Sequence, residues 1–231
     1  MEFELNTLQA QIFENDHSNS ALFGKLILEG DASLENLSGL KIRVPDNKPE
    51  VNNIVIKIKG KIESRLVLHI HEDNCDVTIG QKVRGAYLVK LWGNTSLNLN
   101  ERTTSNFTEI WVQENGSVEV GADCMFAHDV VIMCGDMHGI FEISTKKQIN
   151  LKSPEICIGN HVWLGRRSVI CKNTSIGDGS IVGVSSVVTK SFPKSVAIAG
   201  NPAKLIKNDT SWCRSALCTE SEMDSVIRLI S

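Results

Sequence analysis

The sequence predicts an all-β protein built as a coil of short parallel strands, and two runs of repeats indicate this fold class. From Ile158 the chain repeats in sixes, as IGNHVW, LGRRSV, ICKNTS, IGDGSI and VGVSSV. An earlier pair, VGADCM and FAHDVV, keeps the same period from Val120. A helix places apolar residues every three or four positions and a plain strand places them every second, so neither explains a period of six.

Each hexad is expected to form one flat side of a three-sided prism. The first residue of every repeat from Ile158 is Ile, Leu or Val and should point inward, whereas the small or β-branched fifth residue fits near a corner. Three hexads complete a turn, and successive turns stack about 4.8 Å apart so that backbone groups of neighbouring coils pair. Glycines and Asn173 at the bends suit the unusual backbone angles that such corners require.

The chain divides into three expected segments. Residues 51–207 should form the coil, because alternating strands separated by Asn, Gly and Asp turns precede the strict hexads. Residues 1–50 show no clear period and are expected to be an irregular segment or cap. Residues 208–231 should form a tail with a short helix, because Thr219 and Glu222 have the spacing of a capping box ahead of an apolar face.

Composition restricts the class of protein. A 42% hydrophobic fraction, a 22% charged fraction and a net charge of -3 describe an ordinary soluble chain without the positive charge that nucleic acid would require. We find no run of about 18 apolar residues and no leader-like N-terminus, so we expect a cytoplasmic protein without a membrane span. Seven cysteines without a CxxC pair argue against a disulfide framework and against a zinc knuckle.

Several motifs resemble one known family. The hexads, VWLG at 162–165, SVV at 186–188 and AGNPAK at 199–204 are similar to the left-handed parallel β-helix acyltransferases of the hexapeptide-repeat family. The resemblance covers roughly residues 118–207. Within that family, CMFAHDVVIMCGDMHGIFEI and ICIGNHVWLGR most resemble bacterial surface-polysaccharide O-acetyltransferases, including capsule sialic acid O-acetyltransferases. The resemblance implies acetyl-CoA as co-substrate, no metal, and a homotrimer with its active sites between subunits.

His138 is the candidate general base, because it lies in a break of the repeat between Gly135 and Gly139. Histidine accepts protons near neutral pH, and the family carries its catalytic histidine in a similar D-x-H break. A water-exposed loop histidine is the alternative. Asp136 or Glu142 could orient the imidazole, and spacing alone does not choose between them.

Cys134 is a poorer candidate. Direct attack by an acceptor hydroxyl on a thioester needs no cysteine nucleophile, so a small residue on a coil face explains Cys134 better.

Trp163 should project outward from its hexad. The resemblance implies that it lies in the active site and positions the acyl donor or acceptor, and packing between subunits is the alternative. The matching donor-binding positions are Gly165, Ser185, Lys190 and Lys204. The family often has Ala-Gly where this chain has Val184 and Ser185, which puts the shape of the donor groove in doubt.

Other exposed side chains have weaker functional interpretations. Arg166 and Arg167 could meet a phosphate of the donor, but paired arginines on an outward face are usually solvated. Trp92 and Trp111 are expected to pack in the core or at an interface, with stacking on sugar rings as the alternative.

The predicted function is therefore acetyl-CoA-dependent O-acetylation of a sugar hydroxyl in a bacterial surface polysaccharide or its precursor. An N-acetyltransferase acting on a nucleotide-linked amino sugar or on an antibiotic is the alternative. A γ-class carbonic anhydrase would share the coil, but His128, His138 and His161 lack the spacing of its three-histidine zinc site. A non-catalytic scaffold would need neither the His138 break nor AGNPAK.

Overall fold

The chain folds as a left-handed parallel β-helix, as the hexads predict. The structure, a computed structural model, describes residues 1–8, 12, 21–45, 48–151 and 153–231. The strands, in chain order, are β1 (Glu2–Glu4), β2 (Ala21–Leu28), β3 (Leu40–Arg43), β4 (Glu50–Ile58), β5 (Glu63–Ile70), β6 (Cys75–Ile79), β7 (Arg84–Leu91), β8 (Thr95–Leu99), β9 (Thr104–Val112), β10 (Ser117–Val120), β11 (Met125–Phe126), β12 (Val130–Cys134), β13 (Phe141–Glu142), β14 (Lys147–Gln148), β15 (Glu155–Ile158), β16 (Trp163–Leu164), β17 (Val169–Cys171), β18 (Thr174–Ile176), β19 (Ile181–Val182), β20 (Val187–Val188), β21 (Ala197–Gly200) and β22 (Ala203–Lys207). Among the elements whose bounds the described residues give, the helices are two 3-10 turns, Leu5–Thr7 and Leu34–Asn36, and α1 (Glu220–Ile230).

The strands form the three faces of a prism. Face A is the sheet of β1, β2, β4, β6, β8, β10, β15 and β18. The larger sheet bends into two faces: face B contains β11, β16, β19, β21 and β22, and face C contains β3, β12, β17 and β20. The long strands β5, β7 and β9 run across both of these faces. We call the corner between faces B and C the BC edge and the corner between faces C and A the CA edge.

The core is a stack of aliphatic side chains inside the coil. Every first residue of the strict hexads is at most 2% exposed. These residues are Ile158, Leu164, Ile170, Ile176, Val182 and Val188. The fifth residues are buried as well, and both positions repeat in register from coil to coil. Burial of one such aliphatic side chain stabilises the fold by roughly 1.5–3 kcal/mol.

The corners are made by the fourth residue of each hexad, which adopts a positive φ in all seven repeats. Asp, Asn, Gly and Ser occupy five of these positions, including the predicted Asn173 with φ 57°. His161 and Arg167 occupy the other two; histidine tolerates a left-handed backbone better than most residue types, whereas arginine is uncommon there. In the looser coils the turn from face C to face A is made by asparagines with positive φ. Their side chains hydrogen-bond to one another from coil to coil: Asn53, Asn74, Asn94 and Asn115.

The parallel coil begins earlier than expected. β2 pairs in parallel with β4, and β3 pairs in parallel with β5, so residues from Ala21 onward already belong to the coil. The predicted boundary at residue 51 therefore lies too late: LFGKLILEG is typical of a strand, but residues 21–50 show no period of six that would assign their strands to the coil. Part of the expected cap, residues 9–11 and 13–20, lies outside the described residues.

The predicted C-terminal helix is confirmed. Thr219 caps α1, because its Oγ1 accepts a hydrogen bond from the Glu222 backbone N–H at 3.3 Å and Glu222 accepts one from the Thr219 backbone N–H at 2.9 Å. Ile230 packs its side chain against the last coils. No helix in the described part of the chain is long and apolar enough to cross a membrane.

Candidate active site

The His138 loop, residues 135–154, leaves the coil at the CA edge after β12. Gly135 is required there, because a Cβ at this position would lie 2.3 Å from the Cβ of Gln113 and the backbone has φ 145°. Gln113 also accepts a hydrogen bond from the Met137 backbone N–H at 2.8 Å. Asn150 closes the loop from the other side by donating to the His138 carbonyl oxygen at 2.8 Å. The loop thus displays an exposed imidazole on a backbone held by two amide side chains.

Asp136 supports this loop and has partners other than the imidazole. Its carboxylate forms an ion pair with Lys172 and accepts a hydrogen bond from Asn150 at 2.8 Å. The Lys172 ammonium and the Asn150 amide lower the pKa of Asp136. Glu142 accepts a hydrogen bond from Thr145 at 2.6 Å. Among the described residues neither carboxylate is hydrogen-bonded to the His138 ring, so the geometry of one chain gives Asp136 the task of fixing the loop.

Trp163 lies on face B and is 36% exposed, as its place in the hexad predicts. Gly165 and Ser185 follow at the BC edge on neighbouring coils, where the Ser185 backbone N–H donates to the Arg166 carbonyl oxygen at 2.8 Å. Lys204 lies close by, because β22 pairs with β21 on face B. The structure therefore brings Trp163, Gly165, Ser185 and Lys204 to one side of the prism.

His138 and Lys190 lie on the other side of face C. The Lys190 position follows β20 as the His138 loop follows β12, which places both at the CA edge. Face C is about 16 Å wide between its two edges, since β12 has five residues at about 3.3 Å each. A single chain thus separates its candidate base from its candidate donor site by the width of a face.

A buried polar network that sequence reasoning missed ties the tail to the coil. His161 is 2% exposed, with Nδ1 2.7 Å from Asp123 Oδ2 and Nε2 2.8 Å from the Trp212 carbonyl oxygen. Its ring stacks on the Trp212 ring with centroids 4.1 Å apart, and the ring centroids of Trp212 and Trp163 are 6.1 Å apart. Arg214 holds the other Asp123 oxygen at 3.0 Å. The one indication of this network in the sequence was a histidine, His161, at the fourth position of a hexad, where the chain turns a corner with positive φ.

This network decides which histidine can act as a base. Both ring nitrogens of His161 are occupied inside the protein, so it cannot accept a proton from a substrate. His128 is exposed and lies 2.7 Å from Asp129, which also faces Arg166 and Arg167 at 3.8 and 3.7 Å.

Among the described residues no group of three or more His, Cys, Asp or Glu side chains is arranged to hold a metal ion.

Cys134 is buried beside the loop and points into the coil. Burial raises the pKa of its thiol to about 12, so little thiolate exists near neutral pH. This environment fits a structural side chain and disfavours a nucleophile, as predicted.

Comparison with known proteins points to one kind of enzyme. No family model matches the chain. It is 38% identical over 117 residues to a polysialic acid O-acetyltransferase of Escherichia coli O1:K1 / APEC, an alignment that covers 51% of this chain and 38% of that protein. It is 36% identical over 122 residues to a polysialic acid O-acetyltransferase of Neisseria meningitidis, covering 52% of this chain and 56% of that protein. The alignments thus span about half or less of the length of these relatives.

A solved structure matches over a greater length. The crystal structure of the polySia-specific acetyltransferase NeuO superimposes with a TM-score of 0.73 and 28% sequence identity. The match covers 91% of this chain and 99% of that chain.

Proposed function

Because the chain belongs to the hexapeptide-repeat family of left-handed β-helix acyltransferases, we propose that it is an acetyl-CoA-dependent O-acetyltransferase. The acceptor is a sugar hydroxyl in a bacterial surface polysaccharide or its precursor. The names of the two polysialic acid O-acetyltransferases support this class of acceptor.

The exposed imidazole of His138, on a loop backbone held by Gln113 and Asn150, is the observation that carries the proposal. His138 takes the proton of the acceptor hydroxyl as the oxygen attacks the thioester carbonyl, and the CoA thiolate leaves when the tetrahedral intermediate collapses. General base catalysis of this kind contributes about a hundredfold to ten-thousandfold. Attack is direct, because the buried Cys134 thiol is in no state to form an acyl-enzyme.

The donor lies along the BC edge in this proposal. Trp163 contacts the acetyl-pantetheine end, and Gly165 and Ser185 line a groove of small residues. Lys204 and Lys190 are exposed and, among the described residues, form no ion pair, so they are free to meet the CoA phosphates. Because Lys190 lies at the CA edge, it contacts the phosphates of an acetyl-CoA molecule that is bound at the BC edge of a neighbouring copy.

The active site is shared between copies in a homotrimer. One chain holds His138 and Trp163 at opposite sides of face C, and a neighbouring copy can bring its BC edge to the His138 loop. The loop also carries large apolar side chains that a solvated hairpin would not need, with Ile143 84% and Leu151 74% exposed. Contact with a second copy would bury them. A threefold axis repeats the same contact three times and closes the assembly.

We expect Ile143→Asp to dissociate the trimer and to abolish transfer, because a carboxylate on the hairpin would be buried at the contact. Light scattering gives the mass, and acetyl transfer gives the activity. Leu217→Asp is the matched control, since Leu217 is 87% exposed on the tail and should leave both unchanged. A monomeric wild-type protein with full activity contradicts the shared site.

The reaction itself is tested with acetyl-CoA and a panel of acidic and neutral polysaccharides. We expect release of free CoA that depends on the polysaccharide, and a product ester that mild hydroxylamine cleaves. A hydroxylamine-stable amide product would show N-acetylation and would overturn the proposal. Absence of transfer to every glycan in the panel would also count against it.

Donor binding is expected to raise the melting temperature. At a hundredfold excess over Kd, a ligand of the native state stabilises it by about 2.7 kcal/mol, which corresponds to roughly 5–11 °C for a chain of this size. Lys204→Glu should reduce this shift, whereas Lys207→Glu, an exposed lysine on the same strand β22, should reduce it less. Equal shifts in both variants contradict a phosphate contact at Lys204.

A further inference from the structure

The tail is fastened along one corner of the prism. We call the corner between faces A and B the AB edge, and residues 210–214 the strap. The Thr210 backbone N–H donates to the Ser195 carbonyl oxygen at 3.0 Å. On the neighbouring coil, the Ser211 hydroxyl donates to the Gly179 carbonyl oxygen at 2.9 Å. The strap therefore runs along the coil axis and bonds to one coil after another.

Trp212 makes the contact of the strap with the next coil, at His161. Its indole N–H donates to the His161 carbonyl oxygen at 2.8 Å, and its own carbonyl oxygen accepts a hydrogen bond from His161 Nε2 at 2.8 Å. Arg214 continues to Asp123 on the coil beyond, and its guanidinium carbon lies 5.6 Å from the centre of the Trp212 ring. Trp212 is 5% exposed. Two hydrogen bonds and two stacked neighbours thus fix the position of its ring.

Trp163 is the outward side chain of face B that the strap reaches. It stands between Met125 and Ile181, the paired residues on the neighbouring coils. Its ring centroid lies 6.1 Å from that of Trp212, with 50° between the planes, which is within the range of interacting aromatic pairs. Because Trp212 is fixed, this contact limits the rotamers that the partly exposed Trp163 ring can adopt.

Fastening the tail does not by itself require an aromatic residue beside Trp163. Thr210, Ser211 and Arg214 already bond the strap to the coils on either side. An exposed tryptophan on a flat face must settle into one rotamer when a ligand binds, and this ordering costs affinity. A ring that a fixed neighbour already holds avoids that cost.

We propose that Trp212 is a positioning residue, which holds the Trp163 indole in the orientation that receives the acetyl-pantetheine end of the donor. This inference rests on the proposed function, in which Trp163 contacts that end of acetyl-CoA. It makes the tail, which contains no hexads, a part of the donor site. Trp212 acts only through Trp163 and does not touch the donor.

Binding of acetyl-CoA to the full-length protein, measured by titration calorimetry without an acceptor, tests the proposal. We expect Trp212→Ala to raise Kd roughly tenfold, the upper end of what one aromatic pair contributes. Trp212→Phe keeps a ring against Trp163 and should stay within about twofold of wild type. Ile230→Ala is the matched control, because it removes another buried tail side chain, one that packs at Gly179. It should lower the melting temperature and leave Kd unchanged.

A double-mutant cycle shows whether Trp212 acts through Trp163. Trp163→Ala should weaken binding by itself, and adding Trp212→Ala to it should cause no further loss, because there is no indole left to position. A residue that merely stabilises the fold or touches the donor would weaken binding again in the double variant. This cycle therefore distinguishes a positioning role from both alternatives.

Fluorine NMR of protein labelled with fluorotryptophan reports on the Trp163 ring directly. The chain has four tryptophans, so each signal can be assigned by substitution. The Trp163 signal should broaden in Trp212→Ala as the ring exchanges between rotamers, and it should stay sharp in Ile230→Ala. Trp92 and Trp111 provide reference signals on another part of the coil. Both are half-buried, so the expectation that they pack in the core does not hold.

The outcomes separate this inference from the proposed function. A wild-type protein that does not bind acetyl-CoA overturns the proposed function, and the inference with it. Wild-type binding that Trp212→Ala leaves unchanged overturns the positioning role and leaves the enzyme in place. A further loss in the double variant overturns it as well. If Trp212→Ala does not fold, Trp212→Leu takes its place beside Trp212→Phe, because leucine fills part of the volume without a ring and carries the same expectation.

Discussion

Replacement of His138 by alanine should lower kcat by about a hundredfold to ten-thousandfold while the coil stays folded. The loss falls on kcat because the proton acceptor is absent when the hydroxyl attacks. The fold survives because the exposed ring has no hydrogen-bond partner among the described residues, and the loop is held by Gln113 and Asn150 instead. Acetyl-CoA affinity should change far less, since the proposed donor groove lies at the BC edge.

His128→Ala is the matched control for this prediction. His128 is exposed as well, but it lies at the BC edge next to Asp129 and outside the loop. We expect it to keep nearly full kcat. Initial rates at saturating acetyl-CoA, together with circular dichroism of each variant, make the comparison. If folded His138→Ala retains more than about a third of the wild-type kcat, a general base at this position is excluded.

The repeat made most of the fold readable from the sequence. The first residues of the hexads stack on apolar side chains of the neighbouring coils, so the period of six predicts directly that Ile170 packs between Ile132 and Val188. The helix α1 was equally readable, because a capping box is a local interaction between Thr219 and Glu222. The first coils were not, since β2 and β3 carry no period of six that would assign them to the coil.

The site was readable only in part for the same reason. His138 is marked by a local break, and Trp163 is marked by its place in a hexad. The contacts of His161 with Trp212 join residues 51 positions apart in the sequence, and Arg214 reaches Asp123 across 91 positions. A pattern of period six carries no information about such contacts, because the tail that makes them lies outside the repeat.

Asp123→Ala should be the most destabilising single change among the polar residues discussed. The variant leaves a buried His161 ring nitrogen and the Arg214 guanidinium without their shared carboxylate. Breaking a buried charged pair in this way costs about 3 kcal/mol, which lowers the melting temperature of a chain of this size by roughly 6–12 °C. The tail would also loosen next to Trp163.

The same carboxylate makes this stabilisation depend on pH. Burial alone would raise the pKa of Asp123, but the hydrogen bond from His161 and the charge of Arg214 outweigh it and lower the pKa in the folded protein. Stability from a lowered pKa is fully present above the unfolded value of about 3.9 and is lost as the pH falls through the folded value. The difference between wild type and Asp123→Ala should therefore persist from neutral pH down to about pH 4 and shrink below it.

Asp129→Ala provides the control, because Asp129 makes the same kind of pair with a histidine at the next corner of the coil. The two aspartates have φ of 58° and 62°, so alanine strains the backbone equally at both. The pairs differ in burial, since the His161 side chain is 2% exposed and the His128 side chain is 53% exposed. An exposed pair contributes about 1 kcal/mol or less, so Asp129→Ala should melt several degrees above Asp123→Ala. Equal melting temperatures for the two variants would show that the buried network adds nothing beyond a solvated ion pair.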